Sequence, residues 1–387
     1  MQAIAIVGTG NISRAHIAGY GAFPQSCRIV ALHDIVESRA HATKEQLGLD
    51  GADVVGLDEL LARDDVDLVS VCTPPSSHKD LTIALLRSGK NVLVEKPMAP
   101  SVADCDQMLA AARESGRTLS VIAQNRFRND LASVKEAIDS GLLGPVAHAR
   151  VDSAWWRGLP YYDLDWRGTW ESEGGGPTLN HAIHHVDLLL WMLGYPERAT
   201  AVMKNAWHDN SEVEDLSVAL LEWERTIATL TASVVHHGEE QAFAVQGRDA
   251  AVSQPWSVRA ERSQPNGFPA AGGNPDLVAA IEARVAERAP LQHEGHTGQI
   301  GDVLAALREG RAPAITGEDG RRTVEVVTAI YQAAIEQRPV DLPLAASSPW
   351  YTGEALLAKA PRYHVKTGSV ASQEGDITLG GSPDPTR

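Results

Sequence analysis

The 387-residue sequence is poor in cysteine and has no long apolar run. Its three cysteines, Cys27, Cys72 and Cys105, form no C-x-x-C pair, so neither a disulfide scaffold nor a cysteine-bound zinc is expected. No apolar run approaches the roughly 18 residues that a membrane helix needs. The chain starts on an apolar strand pattern without the basic region and cleavage site of a secretory signal. These absences predict a cytoplasmic protein.

Positive charge is also scarce. The sequence carries 34 Lys and Arg against 50 Asp and Glu, a formal net charge of -16. Such a surface repels phosphate backbones and anionic membranes, which excludes broad nucleic-acid or membrane binding and leaves a small molecule or a protein as partner. The length exceeds one typical core and favours two domains.

The first 123 residues alternate short apolar runs with helical patterns. The apolar runs lie at 3–7, 28–33, 67–72, 91–95 and 118–123, and the helical patterns at 36–47, 77–88 and 102–115. Near-continuous apolar runs are typical of parallel strands covered on both faces. Gly89 and Gly116 follow two of the helices as C-cap signals. Residues 1–123 are therefore predicted to form a doubly wound α/β domain of the dinucleotide-binding Rossmann type.

The pattern changes after residue 124. A helix and a strand pattern come first, at 131–144 and 146–156, and helical patterns return near 296–309 and 320–336. Alternating runs at 215–223 and 226–235, joined by a short polar turn, predict an antiparallel hairpin. We assign residues 124–365 to an α+β domain. The polar, Gly/Ser-rich residues 366–387 are predicted to be a tail, either flexible or ordered by a partner subunit.

The turn IAIVGTGNISRAH places Gly8 and Gly10 between the first strand and a helix. Small residues let the backbone turn tightly and approach a pyrophosphate at the helix N-terminus. Ser13 stands where a third glycine is usual. Asp34 ends the second strand, where an acid can bind the ribose hydroxyls of NAD and repel the 2′-phosphate of NADP. Arg39 leaves NADP as the less favoured alternative.

The run NVLVEKP puts Lys96 at the carboxyl end of a strand, where ligands bind in open α/β sheets. A lysine there can stabilise the alkoxide that forms as hydride leaves a substrate. The alternative is an exposed lysine paired with its neighbour Glu95.

The stretch GGGPTLNHAIHHVD contains three histidines. We expect a helix from Pro177 to Leu193, with Gly176 and Gly194 as caps. Its expected buried stripe is Leu179, Ile183, Val186, Leu190 and Leu193.

On this helix Asn180 and His184 share a face, whereas His181 and His185 fall on another. A metal bound through His181 and His185 would need further ligands that the sequence does not offer, so no metal is predicted. A histidine has an unperturbed pKa of about 6.5 and can accept a hydroxyl proton at neutral pH, which makes His184 the candidate base.

The segment WWRGLPYYDLDWRGTW, residues 155–170, holds six of the chain's 20 aromatic side chains. Aromatic faces can stack on the C–H surfaces of a sugar, or can anchor the loop on its own domain. The candidates on the substrate side are Arg157, Tyr161 and Trp166, and Arg167 is a candidate near the cofactor.

Taken together, the G-x-G-x-x-S turn with His16, CTPPSSH (72–78), EKP (95–97) and the glycine run followed by N-x-x-x-H and D resemble the Gfo/Idh/MocA family, over nearly the whole chain. The resemblance implies a Rossmann domain and an α+β substrate domain with a large, mainly antiparallel open sheet that mediates homodimers or homotetramers. It implies that Lys96 contacts nicotinamide and substrate and that His184 is catalytic. Asn180 stands where the family often has aspartate, so it is predicted to orient substrate.

The predicted activity is hydride transfer between NAD and a secondary hydroxyl or ketone of a sugar, glycoside or cyclitol, with Lys96, Asn180 and His184 as catalytic and substrate-binding residues. Two alternatives stay open: an NAD-dependent glycosidase that oxidises its substrate transiently, and a dinucleotide-binding sensor without turnover. The predicted cofactor-binding residues are Gly8, Gly10, Asn11, Ile12, Asp34, Thr73, Pro74, His78, Glu95, Lys96 and Arg167.

Overall fold

A computed structural model of the chain describes residues 1–370. Its strands are β1 Gln2–Val7, β2 Cys27–His33, β3 Asp53–Val54, β4 Leu68–Val71, β5 Asn91–Val94, β6 Leu119–Val121, β7 Val146–Ala154, β8 Arg198–Lys204, β9 Leu216–Glu222, β10 Ile227–Ser233, β11 Gln241–Gly247, β12 Ala250–Gln254, β13 Ser257–Ala260 and β14 Val340–Asp341. Its α-helices are α1 Asn11–Gly21, α2 Glu37–Gln46, α3 Leu57–Ala62, α4 Pro75–Arg87, α5 Val102–Ser115, α6 Asn129–Asp139, α7 Pro177–Asn180, α8 Ile183–Leu193, α9 Pro275–Ala286, α10 Gly295–Glu309, α11 Gly317–Glu336 and α12 Glu354–Lys359.

The first compact unit contains residues 1–128, 291–325 and 351–353. Its six strands form a parallel sheet in the order β3-β2-β1-β4-β5-β6. The predicted doubly wound Rossmann sheet is confirmed, and α5 has the predicted limits. Sequence reasoning missed β3, since a two-residue strand that contains an aspartate leaves no apolar run.

One core joins the start of the chain to a late helix. Ile4 and Ile6 of β1 lie in the same buried cluster as Ile300, Val303 and Leu304 of α10. Helical periodicity indicates that α10 has a buried face, but it does not indicate which sheet that face covers. The domain limits at 123/124 and 365/366 stay predictions.

The second compact unit contains, of the described residues, 129–290, 326–350 and 354–370. Its eight strands have the order β13-β12-β11-β7-β10-β9-β8-β14. The β9–β10 hairpin is antiparallel as predicted, and only β7 and β10 pair in parallel among the strands of this sheet. The mainly antiparallel sheet is thereby confirmed.

The predicted single helix from Pro177 to Leu193 is wrong just after its first turn. Two helices, α7 and α8, are separated by His181 and Ala182. The cause is local: the Ala182 N–H donates to the Pro177 carbonyl five residues earlier, at 2.8 Å, so the i to i-4 ladder is interrupted. Pro177 does begin α7, and Gly194 is the C-cap of α8 as predicted.

The predicted buried stripe is only partly confirmed. Leu179, Ile183 and Val186 are buried as predicted, but Leu190 and Leu193 are only half-buried. Leu188, Leu189 and Met192 are buried as well. All five residues from 185 to 189 are buried, so α8 is buried around most of its circumference there, and a single apolar stripe did not describe it.

The first residues of the predicted tail contact the aromatic loop. The Val370 N–H donates to the Asp163 carbonyl at 2.7 Å, and the Asp165 N–H donates to the Val370 carbonyl at 3.0 Å. Lys366 Nζ donates to the Arg167 carbonyl at 2.7 Å. Residues 371–387 lie outside the described part of the chain. Within residues 1–370, no helix combines the length and apolar character that crossing a membrane requires.

Candidate functional site

The turn after β1 has the geometry of a pyrophosphate cradle. Gly8 has a φ of +86°, and a Cβ there would lie 2.8 Å from the Cys72 carbonyl oxygen, so a larger residue is excluded. Gly10 is the N-cap of α1, and a Cβ built on it would meet nothing within 4 Å. The exposed N-terminus of α1, with Asn11 and Ile12 in its first turn, thus offers backbone N–H groups and open space to an anion.

We expect Gly10→Ala to weaken NAD binding by about tenfold or more, because a methyl group would occupy the space of the pyrophosphate. The substitution should not lower the stability of the protein. The backbone at Gly10, φ -70° and ψ -173°, is accessible to alanine. Isothermal titration with NAD measures the effect. Gly21→Ala, at the far end of the same helix and also in open space, is the matched control, and equal NAD affinity of the two variants would contradict the cradle.

Asp34 lies at the end of β2 beside this turn. Its carboxylate accepts hydrogen bonds from the Thr9 N–H at 2.8 Å, the Thr9 hydroxyl at 2.9 Å and the Val36 N–H at 2.9 Å. Burial opposes ionisation, but these hydrogen bonds leave the pKa of Asp34 lowered. The next residue, Ile35, is 95% exposed. The Asp34 carboxylate suits the ribose of a dinucleotide, and the exposed Ile35 side chain suits its adenine. Sequence reasoning had missed Ile35.

The predicted residues after β4 surround the start of α4. Thr73 is half-buried, and Pro74 is the exposed N-cap. His78 is fully buried, with Nε2 at 2.8 Å from the Thr73 carbonyl oxygen and Nδ1 at 2.9 Å from the Pro97 carbonyl oxygen. His78 therefore connects the loop after β4 to the EKP turn after β5. Because its side chain is buried, it supports these two loops from within the domain.

Glu95 is the buried member of the EKP turn. One carboxylate oxygen, Oε1, lies 3.0 Å from His16 Nε2 and 3.3 Å from His296 Nε2, and the other accepts the Lys96 N–H at 3.1 Å. Lys96 itself is half-buried. Among residues 1–370, His16, Glu95 and His296 are the one group of three or more His, Cys, Asp or Glu side chains placed to hold a metal ion together. His181 and His185 belong to no such group in that part of the chain.

Asn180 and His184 lie on either side of the break between α7 and α8, and both are half-buried. The Asn180 amide donates to the Gly175 carbonyl at 2.8 Å and to the Gly176 carbonyl at 3.4 Å. An aspartate could not make these contacts, because an ionised carboxylate only accepts. The amide of Asn180 therefore supplies the donors that the carbonyl groups of this glycine run accept.

The glycine run is pressed against Glu214 and Tyr331. A Cβ at Gly175 would overlap the Tyr331 hydroxyl, and one at Gly176 would overlap the Glu214 carbonyl. The buried Glu214 carboxylate accepts from the Gly176 N–H at 3.0 Å, the Thr178 N–H at 3.2 Å and the Tyr331 hydroxyl at 2.9 Å. Glu214 thus caps the N-terminus of α7, a role that the sequence did not indicate because its partners are distant in the chain.

Burial raises the pKa of Glu214 to about 7, against the opposing effect of its hydrogen bonds. Because this folded pKa exceeds the unfolded value, the stability that the neutral carboxyl contributes is present at low pH and lost as the pH rises through 7. We expect Glu214→Gln to remove this dependence. Relative to wild type, the variant's free energy of unfolding should therefore rise by roughly 3 kcal/mol between pH 4.5 and pH 8. Urea unfolding at both pH values measures the difference.

Glu224→Gln is the control for this comparison, since Glu224 is an exposed carboxylate in the β9–β10 turn. Its stability difference from wild type should be the same at both pH values. A pH-independent difference for Glu214→Gln as well would contradict the raised pKa.

The aromatic loop is partly anchored and partly accessible. Of its six aromatic residues, Trp155, Tyr162 and Trp170 are buried, Tyr161 and Trp166 are half-buried and Trp156 is exposed. The three buried side chains anchor the loop on its own domain, whereas stacking of the accessible ones on a sugar stays a prediction.

The predicted arginines of this loop stack on its aromatic rings. The Arg157 guanidinium lies 5.2 Å from the Trp155 ring centre, and that of Arg167 lies 4.1 Å from Tyr161 and 4.0 Å from Trp166. Arg167 also pairs with the buried Glu173 at 2.8 Å. Burial raises the pKa of Tyr161 to about 12, so its hydroxyl keeps its proton.

A parallel sheet whose carboxyl edge gathers a glycine cradle, an acid and a lysine defines a dinucleotide-binding domain of the oxidoreductase class. The model of the Gfo/Idh/MocA oxidoreductase family with an NAD-binding Rossmann fold matches residues 3–123, and that of the family's C-terminal domain matches residues 131–253. The chain belongs to the Gfo/Idh/MocA family.

The chain is 32% identical to 1,5-anhydro-D-fructose reductase of Ensifer adhaerens, over 54% of this chain and 62% of the reductase. It is 25% identical to scyllo-inositol 2-dehydrogenase (NADP(+)) of Bacillus subtilis, over 80% of this chain and 87% of that enzyme. The structure of the WlbA dehydrogenase of Bordetella pertussis, in complex with NADH and UDP-GlcNAcA, matches with a TM-score of 0.76 at 28% identity over 89% of this chain and 98% of that one. The chain spans about three fifths of the reductase's length.

Proposed function

We propose that this protein is an NAD-dependent dehydrogenase that interconverts a secondary hydroxyl and a ketone on a sugar, glycoside or cyclitol. The observation that carries the proposal is the carboxyl edge of the parallel sheet, where Gly10, Asp34, Thr73 and Lys96 follow β1, β2, β4 and β5. Ligands of open α/β sheets bind at that edge. Relatives named as a fructose-derivative reductase and an inositol dehydrogenase support the substrate class.

In this proposal the Gly8–Gly10 turn and Asp34 hold NAD, which supplies the hydride acceptor when bound. His184 takes the proton of the substrate hydroxyl as general base. Lys96 donates a hydrogen bond to the oxygen as negative charge develops on it, and Asn180 orients the substrate through its side-chain oxygen. In the opposite direction His184 returns the proton to the alkoxide.

Asp34 and Ile35 support NAD over NADP. A carboxylate whose pKa is lowered stays charged at neutral pH and repels a 2′-phosphate. The exposed Ile35 side chain adds no positive charge beside it.

The test is an absorbance screen at 340 nm with NAD and NADP against inositols, free sugars and glycosides. We expect NADH formation with at least one polyol or sugar, with NAD preferred. Release of free sugar from a glycoside without net NADH would instead support the NAD-dependent glycosidase. Tight NAD binding without any turnover would support the sensor.

A homodimer or homotetramer in the cytoplasm is part of the proposal. Val202, Val218, Leu220 and Ile227 expose apolar side chains on one face of the β8–β9–β10 ladder, and such a face favours burial against a second copy. The three cysteines are free thiols, as a reducing compartment allows. Light scattering of the purified protein tests the assembly, and a monomeric mass would contradict it.

A further inference from the structure

A buried hydrogen-bonded chain lies behind the EKP turn in the first compact unit. His16 on α1 is fully buried, with Nε2 at 3.0 Å from Glu95 Oε1 and Nδ1 at 3.0 Å from Ser70 Oγ. The Tyr20 hydroxyl lies 2.7 Å from the same Ser70 oxygen. His296 on α10 brings its Nε2 to 3.3 Å from Glu95 Oε1. Segments that are distant in sequence thus converge on one carboxylate.

The donors and acceptors of this chain balance with His16 neutral and Glu95 charged. A neutral histidine has one donor and one acceptor nitrogen. If His16 Nε2–H donates to Glu95, then Nδ1 accepts the Ser70 hydroxyl, whose oxygen accepts the Tyr20 hydroxyl. Burial lowers the pKa of His16 and raises that of Tyr20. Burial alone would raise the pKa of Glu95, but hydrogen bonds from His16 and His296 hold it well below its usual value.

The chain ends at the backbone of the proposed catalytic lysine. Glu95 uses Oε1 for the two histidines and Oε2 for the Lys96 N–H, at 3.1 Å. We propose that His16 and His296 are positioning residues for Lys96: they orient the Glu95 carboxylate, which fixes the Lys96 peptide group at the end of β5. This inference rests on the proposed function for the role of Lys96, and it adds two residues to which no role had been assigned.

The same three side chains have the composition of a two-histidine, one-carboxylate metal site, and their ligand atoms lie within 4.8 Å of one another. Hydrogen bonds account for the observed contacts, because both histidine nitrogens lie at hydrogen-bond distances from one oxygen and His16 is satisfied at both ring atoms. The Glu95 charge also acts on the titratable groups of Cys72 and His78.

His296→Leu against His296→Gln gives the test, since His296 is less buried than His16 and both variants should fold. Leucine removes the donor to Glu95, whereas glutamine keeps an N–H that can reach it. We expect His296→Leu to lower kcat about tenfold, the scale of coupling within one hydrogen-bond network, with the NAD dissociation constant unchanged. His296→Gln should recover most of this loss.

A double-mutant cycle with Lys96→Ala distinguishes positioning from a general structural effect. If His296 acts through Lys96, His296→Leu has little further effect on kcat in the Lys96→Ala background. Independent, multiplicative losses would overturn the inference. So would stoichiometric metal in the purified protein whose removal abolishes activity.

A second readout needs no substrate. The rate at which an acylating reagent modifies Lys96, measured by mass spectrometry, should change several-fold in His296→Leu and not in His296→Gln, with Lys44 as the internal reference. If no substrate is turned over but Lys96 labelling responds in this way, the proposed function fails and the positioning role stands. If wild type is active and neither kcat nor labelling responds to His296→Leu, the positioning role alone fails.

Discussion

Replacement of His184 by alanine should lower kcat by about 100-fold to 10,000-fold, the range expected when a general base is removed. His184 is half-buried at the start of α8, two residues past Ala182, the second residue of the break between α7 and α8. The dinucleotide cradle belongs to the other compact unit, so NAD affinity should stay within twofold of wild type. Steady-state kinetics on the substrate found in the screen, with NAD titration beside it, measure both quantities.

His41→Ala is the control for His184→Ala. His41 is an exposed histidine on α2, paired with Glu37 one turn away, and such surface pairs contribute little. Its kcat should equal that of wild type. Full activity of His184→Ala would show that another group takes the proton.

Replacement of Gly176 by alanine should destabilise the protein by about 3 kcal/mol or more, since the added methyl group overpacks a closed site. The Cβ would overlap the Glu214 carbonyl, which is backbone and cannot move away as a flexible side chain can. The backbone at Gly176 has a φ of -90°, so steric overlap rather than backbone strain is the cause. Urea unfolding measures the loss.

Gly158→Ala is the matched control in the same compact unit. A Cβ at Gly158 would meet neighbours at 3.4 Å and beyond, which is ordinary contact, so its stability should lie within about 0.5 kcal/mol of wild type. A Gly176→Ala variant as stable as Gly158→Ala would contradict the close packing of the glycine run on Glu214.

The parallel sheet was predictable because strands buried on both faces leave continuous apolar runs in the sequence. The hairpin of β9 and β10 was predictable because its two runs are adjacent along the chain. The parallel pairing of β7 with β10 was not, since about 70 residues separate strands whose patterns do not specify a neighbour.

In the candidate site as well, local motifs were predictable and contacts between distant segments were not. Motifs that lie within one short segment, such as Gly8 with Gly10 or Glu95 with Lys96, could be found by their spacing. Glu214 and His296 act through partners far along the chain, and their local sequences contain only an acid before a strand and a histidine in a helix. The break at His181 and Ala182 was missed because no Pro or Gly marks it.

The central claim is that hydride moves directly between a substrate carbon and NAD. Incubating wild type with NAD and a substrate deuterated at all its carbon-bound positions, then weighing the recovered NADH by mass spectrometry, tests it most directly. We predict one deuterium in each NADH formed, with the same label content but a lower rate in His184→Ala and Lys96→Ala. NADH that carries no deuterium would contradict the account.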